Sequence, residues 1–158
     1  MMKKYVLVIL SIVLLCGCAR NQVSTDQSEV SQSEMETIQL VSSLGMKDEL
    51  VAVKNRIVIG MVFSGDKDVI QDASLYRSST EGNYDMIGVF YPNDMDACLS
   101  YIDDFLISLK NECNKNYPEE VFKISNAIEK HNDTKIILVV SSDIEKARLE
   151  VENVLENQ

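Results

Sequence analysis

Cysteine and histidine most often carry covalent or metal chemistry in proteins, and this chain holds few of them. Cysteine occurs at positions 16, 18, 98 and 113, and His131 is the single histidine. No two cysteines have the C-x-x-C spacing of redox and zinc sites. His131 lies beside Asn132 and Asp133, so we expect it in a solvated turn without a catalytic or metal-binding role. The sequence therefore predicts no metal site and no cofactor.

Carboxylate pairs are the other candidate source of chemistry, because acid–base catalysis needs charged groups that converge on one point. Asp103-Asp104 and Glu119-Glu120 are adjacent in sequence. Neighbouring residues on a helix point about 100° apart, so neither pair converges. The Ser78-Ser79 pair lacks an identifiable base that would activate a hydroxyl. The sequence therefore identifies no catalytic residue.

The first eighteen residues have the layout of a secretory signal. Lys3 and Lys4 form a basic head, and Tyr5–Leu15 is apolar throughout except for Ser11. This run is too short to span a bilayer as a mature helix, which needs about 20 residues. Two alternatives stay open: an ordinary secretory signal with an incidental cysteine, and an uncleaved membrane anchor.

The end of this segment resembles the lipobox of bacterial lipoproteins, in which a leucine and two mostly small residues precede a cysteine. Leu15, Cys16 and Gly17 occupy the first three places and Cys18 the fourth. The resemblance implies that the Cys18 thiol takes a diacylglyceryl group and that cleavage makes Cys18 the first residue. Two acyl chains suffice for stable anchoring. We therefore expect a lipid-anchored protein on the extracytoplasmic face of the cell membrane.

Composition divides the chain into a signal peptide over 1–17, a lipidated cysteine and flexible polar linker over 18–36, and one globular domain over 37–158. The linker is rich in Ser, Gln, Asp, Glu and Thr and has too few apolar residues to offset its ordering entropy. Loss of Lys3 and Lys4 with the signal takes the net charge from −10 to −12. This charge argues against a nucleic-acid partner and against direct adhesion to anionic lipid.

Apolar periodicity predicts helices and strands in the order α-(α)-β-β-α-α-β-α. A helical period begins at Met35 and ends at Gly45. Arg56–Phe63 fits either a second helix or a strand, because its β-branched residues also suit a sheet. Strands are predicted over 69–77 and 84–91, and the short Gly-containing turn between them favours an antiparallel hairpin.

The second half of the chain contains the clearest elements. The longest helix follows Asp94, and it holds Cys98 and Cys113 about 22 Å apart, too far for a disulfide. A shorter helix ends near His131, and Ile136–Val140 is the strongest strand, followed by a last helix. We predict an α+β domain with a small antiparallel sheet of about three strands, one face of which packs against helices.

The domain is similar to a family of Gram-positive bacterial lipoproteins known as domain of unknown function four-three-five-eight. The resemblance covers roughly residues 38–154. Its matching residues are Tyr76, Ser78, Ile87, Val89, Phe90, Asp94, Ala97, Tyr117, Pro118, Glu120, Val139, Val140, Ser141 and Asp143. The family usually has Glu where this chain has Asp85, and only Lys110 approximates a basic residue of its long helix. The resemblance implies a shared fold and brings no activity with it.

An anchor joined to a domain without a catalytic constellation favours a non-catalytic binding or assembly module with a protein or cell-envelope partner. The candidate contact residues bring aromatic or basic groups near strand and helix ends: Tyr76, Arg77, Tyr84, Tyr91 and Tyr117. Packing in or beside the core explains most of these residues equally well.

The competing hypothesis is a cell-envelope hydrolase whose carboxylates are brought together by the fold. Two carboxylates that face each other in a cleft, or one with a raised pKa, would favour the enzyme. An exposed apolar patch without such a pair would favour binding.

Overall fold

The computed structural model describes residues 30–47 and 49–156. The predicted signal peptide, the lipobox residues Leu15, Cys16, Gly17 and Cys18, and the first part of the predicted linker lie outside the described residues. Within the described ranges, no helix combines the length and the apolar character needed to cross a membrane.

The described residues form five α-helices and five strands. The helices are α1 (Gln32–Ser43), α2 (Asn55–Val62), α3 (Met95–Asn116), α4 (Val121–Ser125) and α5 (Ile144–Glu156). The strands are β1 (Leu50–Ala52), β2 (Ile70–Ser78), β3 (Met86–Pro92), β4 (Ile128–His131) and β5 (Ile136–Val140). A single 3₁₀ turn at Pro118–Glu120 leads directly into α4.

The strands form one antiparallel sheet in the order β1-β2-β3-β5-β4. The predicted hairpin is confirmed, because β2 and β3 pair with Ala73 opposite Phe90 and Tyr76 opposite Ile87. Ile136–Val140 is confirmed as a strand, and as β5 it pairs with a neighbour on each side. The α+β class is therefore confirmed. The predicted sheet of about three strands is smaller than the observed sheet of five.

The sequence does not predict β1 and β4, which are the two edge strands. β1 is only three residues long, too short to show an alternating pattern. β4 starts soon after α4, and Ala127 and Ile128 continue the helical spacing, so the pattern predicts one helix up to His131. Instead α4 ends at Ser125, where the Asn126 side-chain amide donates to a carbonyl of the last turn (2.8 Å).

Helices cover both faces of the sheet, although the sequence predicts cover on one. α2, α3 and α4 pack on what we call the α3 face, and α1 and α5 pack on what we call the α1 face. Along β5, Ile136, Leu138 and Val140 join the core under α3, while Ile137 and Val139 join the core under α1. A strand that is buried on both faces shows no polar alternation, which explains its continuous apolar sequence.

Arg56–Phe63, for which the sequence leaves two alternatives, is mostly helix α2. Val58 and Val62 are four residues apart and both are buried, whereas Ile57 is exposed. This spacing is helical, and burial of one face outweighs the strand preference of the β-branched residues.

α3 is the longest helix among the described residues, and it begins after Asp94 as predicted. Asp94 accepts a hydrogen bond from the Ala97 N–H (3.0 Å) and so caps the first turn. The buried stripe of the helix consists of Cys98, Ile102, Phe105 and Cys113. Both cysteines are free and buried, in agreement with the predicted separation along one helix.

α1 begins at Gln32, inside the stretch that composition assigns to the linker. Its Glu36 side chain is only 8 % exposed and lies 3.0 Å from the Nζ of Lys135. A buried carboxylate requires such a cationic partner, and here the partner is far away in sequence. Glu36, which composition counts as a solvated linker residue, is therefore packed within the fold.

Candidate functional site

A cleft of about 1040 Å³ opens on the α3 face of the sheet. We call it the α2–α3 cleft, because α2 and α3 form two of its walls and the loop between β2 and β3 closes one end. Val51, Arg77 and Met86 are opposite one another on β1, β2 and β3, and all three line the cleft. The volume is at the upper end of the range for ligand sites, about 300–1,000 Å³.

The cleft exists because the two helices above this part of the sheet differ in length. α2 has 8 residues and α3 has 22. At 1.5 Å per residue these helices span about 12 Å and about 33 Å, so α2 covers only part of the sheet beside α3. The exposed apolar side chains of Val51 and Ile57, 50 % and 47 % exposed, lie at the uncovered part.

One side of the cleft is basic. Lys54 and Arg56 come from the start of α2, and Arg77 comes from the end of β2. Arg77 is exposed, and its Nη1 lies 3.8 Å from the sulfur of Met61. Among the described residues, none of these three cations has an ion-pair partner. The basic side is therefore available to an anionic group.

The opposite side of the cleft is aromatic and acidic. The Tyr84 hydroxyl donates to Glu112 Oε1 (2.8 Å), and the Tyr117 hydroxyl donates to Glu81 Oε1 (3.1 Å). The two tyrosine rings lie 5.9 Å apart. Burial and the Glu112 carboxylate raise the pKa of Tyr84, and the hydrogen bond to Glu81 raises the pKa of Tyr117. Both hydroxyls therefore stay protonated and hold the two carboxylates in place.

An ion-pair cluster fixes the loop between β2 and β3 to α4. Lys123 Nζ lies 3.0 Å from Asp85 Oδ1 and 2.7 Å from Glu120 Oε2, and all three side chains are largely buried. Glu120 Oε2 also accepts the Tyr84 N–H (3.0 Å). Asp85 thus pairs with Lys123 of α4 and not with Lys110, the basic residue of the long helix. This cluster holds Tyr84 at the end of the cleft.

The ring of Tyr117 packs directly against the backbone at Gly82. Gly82 has a φ of +80°, and a Cβ at this position would lie 2.9 Å from the Tyr117 ring. Only glycine accommodates both the left-handed conformation and the contact. The turn cluster Ser78–Asn83 therefore does more than reverse the chain, because it forms the surface on which Tyr117 rests.

The structure brings together three of the five predicted contact residues. Arg77, Tyr84 and Tyr117 line the cleft, whereas Tyr76 and Tyr91 pack against the core on the α1 face. Alternation along the strands explains the separation, since adjacent residues point to opposite faces. Tyr91 donates its hydroxyl to the buried Glu36 (2.7 Å). Tyr76 and Tyr91 therefore lie outside the cleft, partly buried against the core of the α1 face.

Sequence reasoning does not identify several residues of the cleft. Arg56 opens the segment whose structure the sequence leaves open and Lys54 lies two residues before it, so the neighbours of these two residues cannot be predicted. Glu112 lies on the polar side of a long amphipathic helix, where nothing distinguishes it from other exposed residues. The scarcity of arginine is the feature of the sequence that could have pointed to this cleft. Arg56 and Arg77 are two of the three arginines in the described ranges, and both line it.

One carboxylate meets a criterion for the enzyme hypothesis. Burial and the nearby Asp103 raise the pKa of Glu129, while His131 lowers it. His131 is exposed as predicted, but it lies in strand β4 and not in a turn. Glu129, Asp103 and His131 do not line the α2–α3 cleft. They lie at the other edge of the sheet, on β4 and the part of α3 next to it.

Four carboxylates line the cleft: Glu81 and Asp85 come from the loop between β2 and β3, and Asp104 and Glu112 come from α3. Asp104 and Glu112 are eight positions apart, which corresponds to about 12 Å along the helix axis. The carboxyl groups of glycoside hydrolases are about 5–9.5 Å apart. Among residues 30–47 and 49–156, no group of three or more His, Cys, Asp or Glu side chains is arranged to hold a metal ion.

Comparisons of the chain with protein-family models, with curated proteins and with solved structures give no match. The resemblance to domain of unknown function four-three-five-eight therefore stays a prediction. Several residues that carry it, Tyr117 and Glu120 among them, lie at the hairpin end of the cleft.

Proposed function

We propose that this protein is a membrane-anchored extracytoplasmic lipoprotein whose domain binds a partner in the α2–α3 cleft without catalysing a reaction. The observation that carries the proposal is the position of Arg77, exposed in a partly apolar concavity without an ion-pair partner among the described residues. Arginine and tyrosine, together with tryptophan, are enriched at the energetic centres of interfaces. Tyr84 and Tyr117 supply an aromatic surface on the opposite side of the same cleft.

The location is proposed from the first eighteen residues. A lipidated Cys18 would hold the domain at the outer surface of the cytoplasmic membrane, where a protein or cell-envelope component is the accessible partner. The net charge supports this arrangement: it is −10 for the whole chain and −12 once Lys3 and Lys4 are lost, and a negative domain is repelled by anionic lipid and stays clear of the bilayer. The same charge argues against a nucleic-acid partner.

Site-specific crosslinking in intact cells tests the binding role. Ser108 is exposed on α3 and lines the cleft, so a photo-crosslinking amino acid there would react with an occupant. Leu149 is 61 % exposed on α5, on the opposite side of the sheet, and serves as the matched control position. We expect one cell-envelope component to be captured from position 108 and not from position 149, and to be lost with Arg77→Gln. Equal capture from both positions would contradict a role for the cleft.

The alternative is a cell-envelope hydrolase that uses carboxylates brought together by the fold. The observation in its favour is the raised pKa of Glu129, with Asp103 as the nearby like charge. This pair lies away from the α2–α3 cleft, which is why binding ranks first. Under the binding proposal, Glu129→Gln leaves capture from position 108 unchanged.

A further inference from the structure

The open edge of the sheet adjoins the α2–α3 cleft. Val53 N–H donates to Leu75 O (2.8 Å), so the backbone groups of Val53 and, by alternation, of Val51 point towards β2. The N–H and the carbonyl of Ala52 therefore point away from the sheet. Ala52 is exposed and lines the cleft. These two groups can pair with another extended chain, as in proteins that bind peptides by strand addition.

The two edges of the sheet differ in how they are protected. β4, at one edge, carries Lys130 beside Glu129, and lysine side chains on an edge strand oppose pairing with other chains. β1, at the other edge, has the sequence Leu50-Val51-Ala52 and no charge. The edge beside the cleft is therefore the one that lacks protecting charges.

The cations of the cleft lie close in sequence or in register to the β1 edge. Arg77 is opposite Val51 in the β1–β2 register, and Lys54 and Arg56 follow β1 almost directly. These three cations have no ion pairs to described residues, whereas two of the four carboxylates that line the cleft, Glu81 and Glu112, already accept tyrosine hydroxyls and a third, Asp85, pairs with Lys123. Arginine binds carboxylates through two parallel hydrogen bonds, which lysine cannot match.

We infer that the occupant of the α2–α3 cleft is an extended polypeptide segment that pairs with β1 and places an acidic side chain against Arg77 and Arg56. This inference rests on the proposed binding function and specifies its partner. The Ala52 N–H and carbonyl bind the main chain of the segment, and Val51 and Ile57 contact its apolar side chains. The acidic side chain fixes the register of the segment along the edge.

A carbohydrate or a small carboxylic acid fits the same surface less well. Carbohydrate would be expected to use the tyrosine hydroxyls, but Tyr84 and Tyr117 already donate to Glu112 and Glu81. A small acid would use the arginines and leave the edge of β1 unpaired. A polypeptide accounts for both features, because it has a regular backbone and charged side chains.

A display library of random linear peptides, selected on the full-length protein in detergent micelles, provides the probe. Selected peptides are then measured by fluorescence anisotropy against paired variants. Ala52→Pro removes the outward N–H, whereas Ala52→Val keeps it. Arg77→Gln removes a cation of the cleft, whereas Arg148→Gln removes an exposed cation of α5. Far-ultraviolet circular dichroism of each variant excludes loss of the fold as the cause of weaker binding.

We expect the selected peptides to contain Asp or Glu. We expect Ala52→Pro and Arg77→Gln to weaken binding at least about tenfold, and the control variants to change it by less than about threefold. Binding should also weaken as salt is added. Peptides without acidic residues, or binding that withstands both Ala52→Pro and Arg77→Gln, would overturn the inference.

The crosslinking experiment distinguishes failure of this inference from failure of the proposed binding function. If position 108 captures a component that protease does not degrade, the cleft still binds a partner but the partner is not a polypeptide. If neither position captures anything, the binding role itself is lost.

Discussion

At the scale of single residues, a buried ion pair joins parts of the chain that are far apart in sequence. Lys135 is fully buried, and its Nζ lies 3.0 Å from Glu36 Oε2. The other carboxylate oxygen of Glu36 accepts the Tyr91 hydroxyl (2.7 Å), and Lys135 also contacts the carbonyl of Val154 (3.4 Å). α1, β3, α5 and the start of β5 thus meet at one charged contact.

Removal of the cation from this contact should destabilise the domain strongly. We expect Lys135→Met to lower the free energy of unfolding by about 3–5 kcal/mol, because the buried Glu36 carboxylate would lose its ion pair with Lys135. The measurement is urea denaturation followed by circular dichroism. Lys130→Met, which breaks the half-exposed pair with Glu152, is the matched control and should cost much less. A similar loss in both variants would contradict the account.

The raised pKa of Glu129 predicts a pH dependence of stability. Its carboxyl binds a proton more tightly in the folded state than in the unfolded state, where its pKa is about 4.5. Stability should therefore fall as the pH rises from 4.5 through the raised folded value. Glu129→Gln should remove this fall and raise the unfolding free energy at pH 7. The measurement is the unfolding free energy of the native protein and of Glu129→Gln at several pH values between 4 and 8. A constant difference between the two free energies over this range would contradict the raised pKa of Glu129.

At the scale of elements, the loop between β2 and β3 shapes the cleft through Gly82. Gly65→Ala provides a control, because Gly65 also has a positive φ (+86°) but no atom within 4 Å of its added Cβ. We expect Gly65→Ala to cost about 1 kcal/mol of backbone strain. Gly82→Ala should cost more, since its Cβ also collides with Tyr117, and it should reduce capture from position 108. Equal unfolding free energies for the two variants would contradict the contact.

The elements that the sequence predicts are those with long, regular patterns. α3 is a 22-residue helix with a regular apolar stripe and Asp94 as its N-cap. The β2–β3 hairpin joins two long strands through a turn cluster. β1 and β4 escape prediction because each is short and is stabilised by its neighbour strand and not by a pattern of its own. The helical state of α2 depends on burial of Val58 and Val62 against residues that are distant in sequence.

At the scale of the whole molecule, the sheet separates packing residues from candidate binding residues. Tyrosine and arginine near strand ends are recognisable in the sequence, and Arg77, Tyr84 and Tyr117 do meet in the cleft. Tyr76 and Tyr91 do not, because the face to which each residue points depends on strand register and on helices covering both faces. Neither property can be obtained from local periodicity alone.

The proposed binding role also depends on where the domain is held. A peptide-binding cleft that faces the cell wall meets partners different from those of a cytoplasmic protein. Cys18 is therefore the residue on which the account of the whole molecule depends, and Cys16 provides an internal control, because cleavage before it would have to follow the bulky Leu15.

The most direct test is mass spectrometry of the mature amino terminus, combined with labelling of cells by an alkyne analogue of palmitate. We expect the membrane fraction to contain a chain that begins at Cys18 and carries a diacylglyceryl group. Cys18→Ala should lose the label and Cys16→Ala should keep it. A mature protein that retains Met1 and stays inside the cell would contradict the anchor, the location and the proposed class of partner together.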